Sequence, residues 1–238
     1  MKQFKIIYLP IPGRAYVSRL MLSFAGIDYS CENSVPLDEK TEVPYNGSPI
    51  FEEFNTETKK KYVLNYSAGI ERYLGIILDL EPKTSQEVAV CYRFHTLYHE
   101  AIEKYMDLKN LLREYATKNP AEVSTSIFEE AAGIEFFANQ KVLVSHQVIK
   151  ARERLESLLI ELFLKHEHYL ASSEGLYYFG DYITYIDLQA YALHKFCNEK
   201  FPKLKFSHLE HEKFINSFMP AASTLNIINP LPTLAAPF

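Results

Sequence analysis

A tyrosine ends a short apolar run near the start of this chain, and an arginine follows it six residues later. Phe4, Ile6, Ile7 and Tyr8 are β-prone and too few for a useful helix. Pro10 and Pro12 remove two backbone donors and stop the strand. After Gly13, the residues Ala15, Val17, Leu20, Met21, Phe24 and Ala25 recur at helical spacing until Gly26 closes the helix. A strand therefore runs into a helix through a tight turn, with Tyr8 at the strand's carboxyl end and Arg14 at the helix start. Small ligands bind at such an edge of an open α/β sheet, where free helix N–H groups favour anions. A phenol and a guanidinium can hold an anionic or thiolate ligand there. Equally, the two can serve as a strand-end aromatic and a surface charge, because strand–turn–helix units are common.

Other side chains invite the same weighing. Ser67 stands where a third amphipathic segment begins, as a cap for the helix carrying Ile70, Glu71, Tyr73, Leu74 and Ile77. Thr184 followed three residues later by Asp187, ahead of Ala190, Tyr191 and His194, is a capping box that opens an apolar helix. His95 and His99 have the i, i+4 spacing that binds zinc, but no third ligand follows at motif spacing and His95 lies on an apolar stripe. No metal is expected from that pattern. Cys31, Cys91 and Cys197 are an odd, scattered set with no CxxC pair, which suits a reducing compartment and argues against a disulfide framework or zinc finger.

The elements that must position these groups follow in order. Ile27–Asn33 reads as a second strand, and Val35–Gly47 as an irregular loop with Pro36, Pro44 and Asn46-Gly47. Ser48-Pro49-Ile50-Phe51 and Lys61-Tyr62-Val63-Leu64 read as two short strands joined across a polar connection over Glu52–Lys60. Pro49 is a candidate cis proline. Beyond Glu81-Pro82 the pattern turns helical. One long helix is expected from Ser85 to Tyr115, with Val88, Cys91, Tyr92, His95, Ile102, Tyr105 and Met106 on its apolar side. Asn119-Pro120 ends it, and helices over Ile127–Ala138 and Val142–Leu170 follow. The order implies a small α/β domain over residues 1–80 and an all-α domain over 84–238.

Composition limits the function. The 238 residues are 47% hydrophobic and 23% charged, the make-up of a globular chain with a real core. A net charge of −5 argues against nucleic acid as a partner. The first apolar run is short and broken by prolines, unlike a signal peptide, and no window is long enough to span a bilayer. A cytoplasmic protein with no membrane partner is expected.

Four phrases in one order carry a resemblance. They are Tyr8 before Gly13-Arg14-Ala15, the Ser48-Pro49 step, Leu64-Asn65-Tyr66-Ser67 running into Ile70-Glu71-Arg72-Tyr73-Leu74, and Gly180-Asp181 ahead of Thr184-Tyr185-Ile186-Asp187. Together they resemble a cytosolic glutathione transferase of the tyrosine type, which includes the sigma class, over nearly the whole chain. The resemblance implies a thioredoxin-like N-terminal domain, a helical C-terminal domain that contributes the acceptor pocket, and a homodimer. It also implies detoxification chemistry, in which glutathione is the co-substrate and its thiolate attacks a small hydrophobic electrophile. Tyr8 would be the catalytic residue, donating to the glutathione sulfur and lowering its pKa. Arg14 would add positive potential. Ser48, ahead of a cis Pro49, would pair its backbone with the cysteinyl part, and Ser67 would take the γ-glutamyl carboxylate. Lys40, four residues before Pro44, would meet the glycyl carboxylate.

The chain also departs from that pattern. Tyr66 stands where the family usually has Gln or Glu, and Pro36 where a tryptophan is common. Where many relatives take an acidic residue from the partner subunit, the nearest positions are Tyr98, His99 and Glu100. Relatives with this fold include conjugating enzymes, glutathione-dependent isomerases, and binding or structural proteins without catalysis. Tyr8 and Ser67 favour an enzyme, and Tyr66 and the missing partner acid favour a binding protein.

Overall fold

A computed structural model describes residues 1–9, 13–32, 47–118 and 146–201. Lys40, the loop around it, the expected helix over Ile127–Ala138 and everything past Phe201 lie outside the described residues.

Strand β1 (Lys2–Ile7) buries its last residues, and Ile6 and Ile7 continue into buried Tyr8. It leads through a single 3-10 turn (Gly13–Ala15) into α1 (Tyr16–Phe24), whose Val17, Leu20 and Met21 are buried. β2 (Tyr29–Glu32) returns parallel to β1, as a strand after a crossover helix must. β3 (Ile50–Asn55) and β4 (Lys61–Asn65) are antiparallel, and the sheet order is β2-β1-β3-β4. α2 (Ser67–Ile77) packs beside α1, laying Ile70 and Leu74 into the core.

β3 runs four residues further than the apolar pattern suggests, through Glu52, Glu53, Phe54 and Asn55. Both acids have partners drawn from other strands and from α2. Glu52 pairs with Lys5 directly across the ladder, at 3.1 Å, and with Lys61 at 2.6 Å. Glu53 pairs with Lys2 at 2.8 Å and accepts from the Tyr73 hydroxyl at 2.6 Å. Opposite charges facing across a sheet support the strand even where its sequence is polar.

The helical part holds α3 (Ser85–Lys118), α4 (His146–Ser172) and α5 (Tyr185–Lys200). α3 and α4 lie along one another, and α5 packs against both α1 and α3. The buried stripe of α3 is Cys91, Phe94, His95, Tyr98, Ala101, Ile102, Leu108 and Leu112. Tyr92 departs from the expected stripe. One step round the helix from Cys91, it points outward and is 66% exposed. Phe94 stacks on His166 at 4.5 Å and meets Tyr169 and Tyr178 edge-on. Burial raises the Cys91 and Cys197 thiols well above their ordinary range, so both behave as small apolar groups.

The sheet-bearing and helical parts share this core through Tyr185. Its ring is fully buried, its hydroxyl accepts from Arg72 at 3.2 Å, and its amide donates to the Leu80 carbonyl at 2.9 Å. Arg72 also pairs with Glu81 at 2.8 Å. The architecture is a thioredoxin-like sheet domain followed by a helical domain. Among the described residues, no helix is long and apolar enough to cross a membrane.

Candidate functional site

The strand register gathers the site. Ile7 faces Ile50, and Ile50 faces Asn65. Tyr8, Pro49 and Tyr66 each lie one residue beyond that row, so three strand ends meet at one edge of the sheet. The N-termini of α1 and α2 open nearby in sequence.

At this edge the Tyr8 hydroxyl accepts from the Arg14 amide at 3.2 Å. Accepting there leaves the phenolic O–H to donate elsewhere, and a hydroxyl that accepts from an amide is polarised into a better donor. Gly13 is required by the same geometry. Its φ is +40°, and a Cβ on it would lie 2.6 Å from the Tyr8 oxygen. Tyr8 itself is buried, with the Arg19 guanidinium 5.9 Å from its ring centroid. Arg14 turns away toward α3, where Nε and Nη2 meet the two carboxylate oxygens of Glu103 at 2.9 and 2.7 Å. The sheet domain's arginine is thereby tied to the helical domain, a contact between residues far apart in sequence.

The Ser48–Pro49 peptide is cis. Pro49 is buried, and its carbonyl accepts from the Tyr66 amide at 3.1 Å. Tyr66 has φ +65°, and its ring lies over Gly47, where any Cβ would meet ring carbons at 2.6–2.9 Å. It is Tyr66, not Ser67, that occupies the cap position of α2, and no side chain caps that end. Ser67 is the first helical residue, and its hydroxyl lies 3.4 Å from Nδ1 of His99 instead. The expectation of a serine cap is corrected on this point. With Tyr66 in the left-handed region, the helix begins one residue later and turns the hydroxyl toward α3.

Behind Ser67 lies a polar cluster that sequence spacing does not assemble. Glu71 is fully buried, although it sits between core residues Ile70 and Leu74. Its Oε2 is 3.0 Å from His99 Nε2 and 3.7 Å from His95 Nδ1, and it accepts from Gln189 Nε2 at 2.6 Å. Gln189 Nε2 also lies 2.8 Å from His95 Nδ1, and the His95 ring donates to the Ala68 backbone. Burial holds His95 below the ordinary imidazole range, and the Gln189 amide nitrogen that faces its Nδ1 can only donate there. The one local signal is a carboxylate placed on the buried face of α2. The remaining members come from α3 and α5.

At the other end of the helical domain the capping box is present. Asp187 Oδ2 accepts from the Thr184 amide at 2.7 Å and the Thr184 hydroxyl at 2.8 Å, and Oδ1 accepts from the Tyr178 amide at 3.1 Å.

Solved structures match this arrangement over almost its full length. A sigma class glutathione transferase from Fasciola hepatica superposes with a TM-score of 0.62 at 21% identity, covering 94% of each chain. The glutathione transferase from Ascaris lumbricoides gives 0.58 at 22%, covering 96% of this chain and 98% of that one. A glutathione S-transferase from Necator americanus, described as monomeric, gives 0.60 at 19%, covering 96% and 98%. This chain has the glutathione transferase fold. No protein-family model and no curated protein matches the sequence.

Within the glutathione transferase fold, then, Tyr8 ends the first strand against the Arg14 amide, and a cis proline precedes β3. Ser67 begins α2, with His99 of α3 set against it.

Proposed function

We propose that this chain is a glutathione transferase that stabilises the glutathione thiolate for attack on a small hydrophobic electrophile. The observation that carries the reading is the Tyr8 hydroxyl, buried at the carboxyl end of β1 and already accepting from the Arg14 amide. With the amide bonded to its oxygen, the polarised O–H can donate to an incoming anion. In this reading Tyr8 is the catalytic residue. Ser48 and Pro49 offer backbone to the cysteinyl part, and the α2 N-terminus with Ser67 takes the γ-glutamyl carboxylate. Tyr66 borders that carboxylate, and Lys40 meets the glycyl end. Residues 1–80 would bind glutathione and 84–238 supply the acceptor pocket, in a cytoplasmic detoxification enzyme. A two-fold dimer through α3, whose Tyr92 ring is exposed, completes the proposal, and sedimentation at micromolar concentration tests it.

Tyr8→Phe tests the chemistry. The fold and glutathione affinity should survive, because only the bond to the charged sulfur is lost. A charge-assisted hydrogen bond is worth roughly 1.5–3 kcal/mol, so conjugation of a general aromatic halide near neutral pH should fall by about one to two orders of magnitude. The deficit should shrink at alkaline pH, where the thiolate forms unaided. Full turnover in Tyr8→Phe would place sulfur activation elsewhere.

One observation favours a non-catalytic binding protein. Arg14, whose charge the enzyme reading uses, is held bidentately by Glu103. Wild-type protein that retains on immobilised glutathione but shows no conjugation would select that reading.

A further inference from the structure

The cluster behind Ser67 has a chemistry of its own. We infer that Glu71, His95 and His99, with Gln189 as a fourth donor, form a binding site for a zinc-like divalent cation that joins α2, α3 and α5. The inference does not rest on the transferase reading.

Three observations converge on it. The ligand atoms are of the right kind, two imidazole nitrogens and a carboxylate oxygen, a set that zinc and its neighbours among the transition metals favour. They are also at the right separation. A tetrahedral zinc with bonds of about 2.0–2.1 Å sets its donors about 3.3–3.4 Å apart. The Glu71 oxygen lies 3.0 Å from His99 Nε2 and 3.7 Å from His95 Nδ1, and all three ligand atoms fall within 4.8 Å of one another. The side-chain amide of Gln189 sits against two of them, 2.6 Å from the carboxylate and 2.8 Å from His95.

Second, the rings are already oriented from behind. His99 reaches Ser67 Oγ with the nitrogen that does not face Glu71, and the ring of His95 donates to the backbone of Ala68. Such outer hydrogen bonds orient the rings, as the partners behind metal-binding histidines do.

Third, the site has unspent acceptors. Glu71 Oε1 and Gln189 Oε1 are buried with no hydrogen-bond partner among the described residues, and Glu71 has no exposure to water. A buried carboxylate calls for a cation, and an orphaned carboxylate oxygen is costly. A divalent ion would neutralise Glu71 and draw on its second oxygen. A half-turn of the Gln189 amide would bring its own orphaned oxygen inward as a neutral donor.

The i, i+4 histidine pair lacks a third ligand at sequence spacing. The fold supplies it from a helix 24 and 28 residues earlier in the chain, the separations of Glu71 from His95 and His99. Each of the three helices contributes a donor, so the ion would clamp the sheet domain's α2 to the helical domain. Through His99 it would also hold the Ser67 hydroxyl in place.

Full-length, tag-free protein is stripped with chelator and dialysed against micromolar Zn²⁺ at neutral pH, and bound metal is counted by elemental analysis. In parallel, Co²⁺ is added and its visible absorption recorded. One zinc per chain is expected, with the intense visible bands of tetrahedral cobalt and a rise in Tm on binding. His99→Asn, the least buried ligand change, should weaken zinc binding by about tenfold or more and abolish the cobalt bands. Glu71→Gln, nearly isosteric, should do the same, and His168→Asn on the exposed side of α4 should not. If stripped wild type takes up no stoichiometric zinc, the site does not exist. Unchanged uptake and cobalt bands in His99→Asn would move the metal elsewhere and overturn the assignment, whether or not Glu71→Gln folds.

Discussion

Two of the helices that begin with a hydroxyl residue at or beside the cap position, α5 and α2, treat their first N–H groups in opposite ways. α5 starts at Thr184–Tyr185 in the core. There the chain supplies its own anion: Asp187 accepts from the Thr184 amide, the Thr184 hydroxyl and the Tyr178 amide. α2 starts at Tyr66–Ser67, beside the ends of β1, β3 and β4, and no side chain caps it. Its serine faces a histidine on another helix. Every helix start leaves orphan donors with a partial positive charge, and something must answer them. Where the answer is permanent, the sequence carries a carboxylate three residues in. The uncapped start is the one suited to an anion that comes and goes. Under the proposed function, the comparison separates a structural helix start from one open to a ligand by whether a side chain answers its donors, since both begin with a β-hydroxyl.

The largest effect that could break this comparison is at Asp187. Asp187→Ala removes the common acceptor of three donor groups, and Asp187 and Thr184 are fully buried. A buried donor left unpaired costs about 1–3 kcal/mol, and a lost cap about 1 kcal/mol. We expect a destabilisation of about 3–5 kcal/mol in urea unfolding, with glutathione affinity of the remaining folded protein unchanged. A loss below about 1 kcal/mol would show that water replaces the carboxylate and that α5 is no more closed than α2.

That contrast also explains which parts are legible from sequence. The Thr184–Asp187 box can be read because both partners sit within one turn, and local spacing fixes local geometry. Tyr8 before Gly13-Arg14 is legible for the same reason, since the hydroxyl, the glycine and the amide are neighbours along the chain. The polar half of β3 is not, because Glu52 and Glu53 are held in a strand by Lys5, Lys61, Lys2 and Tyr73, all from other elements. Nor is the cluster on Glu71, whose partners come from α3 and α5. Its trace in the sequence is a charged residue between Ile70 and Leu74 on a stripe that buries everything else. Ser67 reads as a cap because composition cannot show that Tyr66 adopts a positive φ and takes that position itself.

A second test at Asp187 uses pH. Burial pushes its carboxyl up to about 7, against the hydrogen bonds from Thr184 that pull it down. The unfolded chain releases this proton near its ordinary value of 3.8. Between those values the folded state holds a proton that the unfolded state has lost. This contribution to stability is therefore full below about 4, falls as pH rises, and is gone above about 7. The hydroxyl of Thr184 can accept from the protonated acid as readily as it donates to the carboxylate, so the box survives the change. His95, held low by burial, acts in the opposite sense, so the comparison must be with Asp187→Asn, which keeps His95. The difference between the two unfolding free energies should fall as pH rises from about 4 to about 7, by up to a few kcal/mol, at no more than about 1.4 kcal/mol for each pH unit. A flat difference would mean that the carboxylate is ionised throughout, like a ligand carboxylate at an open helix end.

The smallest effect is expected at Ser67, and it sharpens the comparison from the open side. Ser67→Ala removes a hydroxyl that caps nothing and whose partner among the described residues is His99, at a long 3.4 Å. Stability should change by less than about 1 kcal/mol, because no helix donor is orphaned and the helix gains a residue of higher propensity. Glutathione affinity should respond more. A hydrogen bond to a carboxylate is worth about 1.5 kcal/mol at the low end, which is close to tenfold in Kd. The backbone amides at the start of α2 would keep the rest, since they are unaffected by the side chain. The split is what matters: affinity down by about tenfold, the pH dependence of conjugation unmoved, and unfolding nearly as in the wild type. Tyr8→Phe should show the reverse, a changed pH dependence at nearly constant affinity. If Ser67→Ala instead unfolds as readily as Asp187→Ala and binds glutathione normally, the serine is structural, both helix starts are closed, and the ligand carboxylate binds elsewhere.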